Sequence, residues 1–323
     1  LTQIASRVLN RPLLLHPTKA EIILQVLQGR LPMDGAKVEG LRPDANRFLG
    51  SYYGEDGRAR KYAVVDGVAT LPIVGSLVNR GAWIGAYSGM VSYEGITAQL
   101  RDAAADPEVS AVLLDIDSPG GEATGMFSVS EQVRQLGASK PVTSFVNDMA
   151  ASAAYGIASA AIEIVVSPTS IVGSIGVISA SFGAHVFLTR QGLERRIYTA
   201  GKSKTLLDPF EPEKPEDVAR IRRLLDQLHG SFIDHVKTRR GDRLADEPDL
   251  YTGEIWVGQA AREVGLIDGV AHLKPKLQEL YGEKVRLRRY SVRRPFFARL
   301  GAGAVDQAIG GLEERAAYAR FGL

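Results

Sequence analysis

The segment Ser110–Gly121, SAVLLDIDSPGG, constrains the fold most. Its apolar and β-branched run is too short for a helix spanning a core and too uniformly apolar for a strand with one wet face, so it reads as a strand buried on both sides. It ends in Asp-Ser-Pro-Gly-Gly, which stops a strand and turns the chain. Similar signals alternate on either side. Strands are expected at 61–66, 69–74, 110–117, 142–146 and 162–166, and helices near 92–104, 122–137 and 150–160. That rhythm predicts an α/β fold with a mostly parallel sheet covered by helices. A long amphipathic helix is expected over 216–236. Its stripe is Val218, Ile221, Leu225, Leu228, Phe232 and Val236.

Three regions follow from composition. Residues 1–60 read as an N-terminal helical arm and linker. Thr18 and Glu21 form a capping box ahead of Ile22, Ile23, Val26 and Leu27, with Gly29 as the stop, and a Gly/Pro-rich charged stretch comes next. Residues 61–285 form the main domain. Residues 286–323 form a tail that opens with Arg286, Arg288, Arg289, Arg293 and Arg294; these suit an acidic protein or DNA, or simply a solvated terminus, so nucleic acid stays open. The chain of 323 residues is 45% hydrophobic, enough for a large core, and its net charge of +2 does not argue for a nucleic-acid partner. It holds no cysteine, which removes thiolate catalysis and disulfides. The apolar patch Leu13–Leu15 is too short for an export signal or a membrane span, so the expectation is a soluble chain that is not exported and has no membrane anchor.

Candidate chemistry lies in three stretches. In the first, Gly120 and Gly121 end the buried strand, where backbone N–H groups can face a ligand at the carboxyl end of a parallel sheet. In the second, NDMAASAAYGIASAA over 147–161, Ser152 opens a helix of small residues, where a developing negative charge is favoured. The third joins IVGSIGVISA, 171–180, to YTAGKSKTLLDPF, 198–210. A lysine desolvated there would lose its proton readily and could serve a serine as base; Lys202 and Lys204 both qualify. Each stretch also has an ordinary reading, as a turn, a small-residue filler or a solvated loop. The histidines His16, His185, His229, His235 and His272 sit in no triad motif, and His229 and His235 read as structural residues of the long helix. No metal-ligand, P-loop or dinucleotide motif occurs.

Taken in order, SPGG, MAASAAY, GSIGV and AGKSKTLLDP resemble the S49 family of serine peptidases, and YTGEIWVGQAAREVGLIDGV, 251–270, resembles that family's closing segment. The resemblance spans about 65–280. It implies a Clp-protease/crotonase-like fold and a Ser-Lys dyad, with Ser152 as nucleophile and Lys204 as base. It further implies that Ser174 orients the lysine and that the N–H groups of Gly121 and Ala153 form the oxyanion hole, with Gly120 supporting the turn. The family commonly has Gly-Gly after the serine, whereas this chain has Ala153 and Ala154, whose methyl groups narrow the site. The resemblance implies no metal and no cofactor, protein or peptide substrates, and a homo-oligomer with active sites at subunit contacts. The family includes signal peptide peptidases, usually membrane-anchored, and head-maturation proteases of tailed phages that cut scaffold, portal or coat protein. The unanchored chain with its arm and tail fits the second setting better. Two other classes stay in view: a crotonase-type acyl-CoA enzyme, and an inactive capsid-assembly protein of the same fold.

Overall fold

A computed structural model describes residues 12–15, 52–53, 59–60, 62–80, 90–201 and 204–281, all within one unit, Leu1–Arg286. The expected helix over 18–29 and the basic tail lie outside the described residues. In chain order the first elements are β1 (Pro12–Leu15), β2 (Tyr52–Tyr53), β3 (Ala59–Arg60), β4 (Ala63–Val65), β5 (Val68–Val74), β6 (Ser76–Val78) and β7 (Met90–Ser92). They lead into α1 (Tyr93–Ala105), β8 (Ala111–Ser118), β9 (Gly120–Glu122), α2 (Met126–Gly137), β10 (Val142–Ala151) and α3 (Ala153–Ala158). The remainder is β11 (Glu163–Val166), β12 (Ile171–Gly173), β13 (Ile178–Ser179), α4 (His185–Arg190), α5 (Pro215–Arg240), β14 (Ile255–Val257), α6 (Gly258–Glu263), β15 (Gly269–Val270) and α7 (Leu273–Tyr281).

The larger sheet runs β14-β12-β10-β8-β5-β4, with β11 beside β10 and β15 beside β11. The pairs β5/β8, β8/β10, β10/β12, β10/β11 and β11/β15 are parallel, and only the outer strands β4 and β14 pair antiparallel within it. This is the mostly parallel sheet covered by helices that the alternating pattern predicts. β8 is the buried strand expected: Val112, Leu113, Leu114 and Ile116 are all inaccessible or nearly so. A smaller sheet, β13-β1-β9-β6-β7, leans on it.

Helices seal the large sheet through apolar stripes. Ser92 caps α1 by accepting the Gly95 N–H at 3.0 Å, and Tyr93, Ile96, Leu100 and Ala103 face inward. α2 buries Met126, Val129, Val133 and Leu136. Among its neighbours, α3 is entirely buried, with Tyr155 and Ile157 set among the small residues Ala153, Ala154, Gly156 and Ala158. On α5, Phe232 and Val236 are buried, while Val218, Ile221, Leu225 and Leu228 are only half-buried. Burying Phe232 removes apolar area worth about 2–3 kcal/mol. The same helix ends on a buried ion pair: Arg240, 1% exposed, grips both oxygens of Asp268 at 2.9 Å and donates to the Gly265 carbonyl at 2.9 Å.

Two boundaries differ from the sequence expectation. Residues 120–122 are strand, not the first turn of a helix; α2 starts at Met126. β10 runs on to Ala151 instead of stopping near 146. In its pairing with β8, Val146 faces Ile116 and Ala150 faces Ser118, so β10 carries two more residues than β8 across that step. The bulge lets β10 leave β11 and join β12, a re-aiming that bulges commonly perform beside functional sites.

Candidate active site

The three motif stretches end on three neighbouring strands. SPGG follows β8, the serine of MAAS follows β10, and GSIGV follows β12, all at carboxyl ends of one parallel array. Open α/β sheets bind their ligands there.

On β8, the buried Ser118 hydroxyl accepts the Gly120 N–H at 3.2 Å. Gly120 then takes φ +95°, a left-handed conformation that a side chain would resist. Gly121 passes so close to β6 that an added Cβ would lie 1.9 Å from the Leu77 carbonyl oxygen. The two glycines are therefore required for different reasons, one for its torsion and one for its clearance.

Ser152 forms the turn between β10 and α3 with φ 55° and ψ −120°, a region that non-glycine residues enter at a cost of about 1–3 kcal/mol. Three backbone contacts hold it there. Its N–H donates to the Gly173 carbonyl at 2.8 Å, its carbonyl accepts the Gly156 N–H at 3.0 Å, and Ala151 pairs with Gly173 in the sheet. The hydroxyl donates to the Gly176 carbonyl across 3.4 Å, and the residue is 1% exposed. A sharp strand-to-helix turn of this kind presents a side chain at the sheet end. Ala153 is the first residue of α3, so its N–H has no partner within the helix.

Ser174 lies immediately beyond β12, also at positive φ, 51°. Its N–H donates to the Glu254 carbonyl at 2.7 Å and its carbonyl accepts the Gly176 N–H at 2.9 Å. It is buried, and among the described residues no hydrogen bond uses its hydroxyl. Ser152, Ser174, Gly120, Gly121 and Ala153 thus gather around one end of the sheet.

Lys204 lies on an exposed turn, with its N–H directed to the Gly201 carbonyl at 3.3 Å. Among the described residues no hydrogen bond joins its ammonium to Ser152. Lys202 lies outside the described residues. The following Asp208 anchors the turn: it pairs with Arg195 at 2.9 Å and accepts the Phe210 N–H at 3.0 Å. Burial pushes its carboxyl up, but the Phe210 N–H and the Arg195 guanidinium outweigh burial and hold it below the usual carboxylate range. The turn borders a cavity of about 340 Å³, lined by Phe182, His185, Thr205, Leu207, Asp208 and Lys214 among others.

Two histidines support the site from behind, a role the sequence pattern did not single out. The His229 Nε2 lies 3.0 Å from the Ile175 carbonyl, between Ser174 and Gly176. The His235 Nε2 lies 2.9 Å from the Gly156 carbonyl and 3.0 Å from the Ser130 hydroxyl. Burial pushes the His235 imidazole below its ordinary pKa, which favours the neutral ring that can donate to the carbonyl. Only their placement on the inward face of α5 hinted at this. Among the described residues, no group of three His, Asp or Glu side chains is placed to hold a metal ion, and no helix is long and apolar enough to cross a membrane.

The mostly parallel sheet covered by helices, with these residues at its carboxyl end, is consistent with the Clp-protease-like fold. Residues 134–284 match the model of peptidase family S49. It is 35% identical over 277 residues to the "Capsid assembly protease C" of Escherichia phage lambda, covering 83% of this chain and 62% of that one. It is 33% identical over 283 residues to the "Head-tail preconnector protein GP5" of Enterobacteria phage P21, covering 83% and 54%. A Brucella abortus protein named "Na(+)/H(+) antiporter NhaA" is 40% identical over 285 residues, covering 82% of this chain but only 38% of that longer protein. The chain therefore spans between about two fifths and three fifths of these relatives' lengths.

Proposed function

We propose that the chain is a serine endopeptidase with Ser152 as nucleophile and Lys204 as general base, acting on scaffold, portal or coat protein during assembly of a phage or prophage head. The observation that carries the chemistry is the Ser152 turn. A side chain forced to positive φ, beside backbone donors and with only a long hydrogen bond of 3.4 Å, is arranged for attack and not for capping. The setting is supported by the relatives named for capsid assembly and the head-tail connection.

In this reading Lys204, as general base, takes the Ser152 proton as the serine oxygen adds to a peptide carbonyl. The Gly121 and Ala153 N–H groups receive the oxyanion, each donor worth about 3 kcal/mol. Lys204 then protonates the leaving amine as the acyl-enzyme forms, and water hydrolyses the ester. Ser174 holds the amine in place. Lys204 lies on an exposed turn with no hydrogen bond to Ser152 among the described residues, so the turn must be brought to the serine when the site is complete. The stretch that carries it exposes Phe182, Val186, Phe187, Leu193 and Leu206, with Tyr198 91% exposed. A second copy covering that surface would desolvate Lys204 and bring it to a serine, so we assign the working form as a homo-oligomer.

A fluorophosphonate serine probe tests the chemistry. The intact chain should label at Ser152, and Ser152→Ala and Lys204→Ala should each abolish labelling while staying folded. Labelling that persists in Ser152→Ala would sink the assignment. The setting is tested by co-expression with candidate scaffold, portal and coat proteins, where cleavage must depend on Ser152.

A further inference from the structure

β1 is a visitor in its sheet. The strand order β13-β1-β9-β6-β7 places residues 12–15 between two strands that come from more than a hundred residues later. Both pairings are antiparallel. Leu13 faces Glu122, Leu14 faces Gly121 and Leu15 faces Gly120 on one side, while Pro12 faces Ser179 and Leu13 faces Ile178 on the other. Without β1, β9 and β13 would each present an open edge across a gap of two strand spacings, about 9.5 Å.

That gap adjoins the candidate active site. Its first wall is the double-glycine strand that carries Gly121. Its second wall begins two residues after Gly176, whose carbonyl accepts the Ser152 hydroxyl. A chain lying in the gap has backbone partners on both sides, the arrangement by which a sheet captures an extended peptide. The occupant fits the demands of the slot. Its one proline is at the first position, where a missing N–H is tolerated, and Leu13–Leu15 supply N–H groups to the two ladders.

We infer that β9 and β13 form a strand-accepting groove for an extended apolar peptide, and that Pro12–Leu15 fills it as an internal occupant that a substrate must displace. The identity of this groove as the substrate groove rests on the peptidase reading above; its occupation by β1 does not. The inference assigns a substrate class: an extended segment with free N–H groups after its first residue, and so without internal proline.

The test uses the full chain with Ser152→Ala, to prevent cleavage, and a second chain that adds Leu13→Pro and Leu14→Pro. Successive strand residues point to opposite neighbours, so the two prolines remove a donor from each ladder. Hydrogen exchange of 120–122 and 178–179 should be at least tenfold faster in the proline chain. A synthetic peptide of residues 8–18 should restore the protection, and the same peptide carrying both prolines should not. Equal exchange in the two chains would overturn the inference, as would failure of the peptide to restore it. Leu14→Pro alone gives the same reading should the double variant not fold. With Ser152 restored, serine-probe labelling should be at least tenfold faster in the proline chain; equal labelling would overturn the blocking role. Labelling in neither chain, with the exchange difference intact, would defeat the peptidase reading and leave β1 in its groove.

Discussion

The Ser152 N–H donates to the Gly173 carbonyl at 2.8 Å, which ties the serine turn of one strand to the last residue before Ser174 on the next. The two serines are therefore fixed by a single backbone link. Each pays for its place with a positive φ, 55° for Ser152 and 51° for Ser174. Strain of this sort persists only where the surrounding hydrogen bonds over-determine it.

Replacing Ser152 with glycine should separate stability from function. Glycine enters this region without penalty, so Ser152→Gly is expected to be about 1 kcal/mol more stable than Ser152→Ala. Both should lose peptidase activity by at least about a thousandfold. Urea melts and single-turnover cleavage assays on the same preparations check both halves. A glycine variant no more stable than the alanine variant would show that the turn is not strained.

Gly121→Ala should be much more damaging than its one added methyl implies. The Cβ would sit 1.9 Å from the Leu77 carbonyl oxygen, a backbone atom that moves only if β6 and β9 part. The expected result is loss of activity with a fall in stability of several kcal/mol, near the upper end for single substitutions. Gly156→Ala offers a comparison inside the core. There the closest atom is the Met126 Sδ at 2.6 Å, the middle of a flexible side chain, so the cost should be smaller. Thermal melts of the two variants rank them directly.

Much of this architecture was legible in the chain. The buried strand ending in SPGG, the small-residue helix after Ser152 and the parallel rhythm all follow from local pattern, because a strand buried on both faces must be apolar throughout. The apolar stripe of α5 was also legible, but not that its first half stays half-buried, since periodicity reports a face and not what covers it. Other features depend on partners distant in sequence. Residues 120–122 are strand because β1 and β6 flank them, which no local signal at Gly120 and Gly121 records. The bulge that carries β10 from β11 to β12 arises from its register against β8. The support that His229 gives to the Ile175 carbonyl spans 54 residues. Sequence pattern marked Ser152 and the two glycines by the company they keep; Ser174, and the choice of Lys204 over Lys202, rested on resemblance alone.

The Arg240–Asp268 pair predicts sensitivity to acid. Burial pushes the Asp268 carboxyl up, but the Arg240 guanidinium and the Ile164 N–H, 2.8 Å away, prevail and hold it below the ordinary range. A carboxyl whose folded pKa is depressed stabilises the fold above its unfolded value, near 3.9, and loses that contribution as pH falls through the folded value. Asp268→Asn should therefore cost about 3–5 kcal/mol at pH 7, because it leaves a buried guanidinium without its counter-charge. The gap to the parent chain should narrow below about pH 4. Urea melts at pH 7 and pH 3 measure it, and a gap that stays constant would rule out the ionic contribution.

His235 should impose a second, milder pH dependence with its own window. Its imidazole is held below the ordinary value by burial, with the Arg239 charge adding to the effect against the opposing bond to the Gly156 carbonyl. A neutral ring preferred by the folded state means that the unfolded chain takes up the proton first. Stability is then full above the unfolded value, about 6.5, and declines as pH falls from there toward the folded value. Protonation adds charge directly behind α3, the helix that Ser152 opens, and beside Ser130 and Ser159. His235→Gln keeps an N–H donor for Gly156 and removes the titration. Its stability should be flat between about pH 6.5 and 5, where the parent chain declines. Chemical denaturation across that range decides the matter: parallel curves for parent and variant would assign the decline to another group.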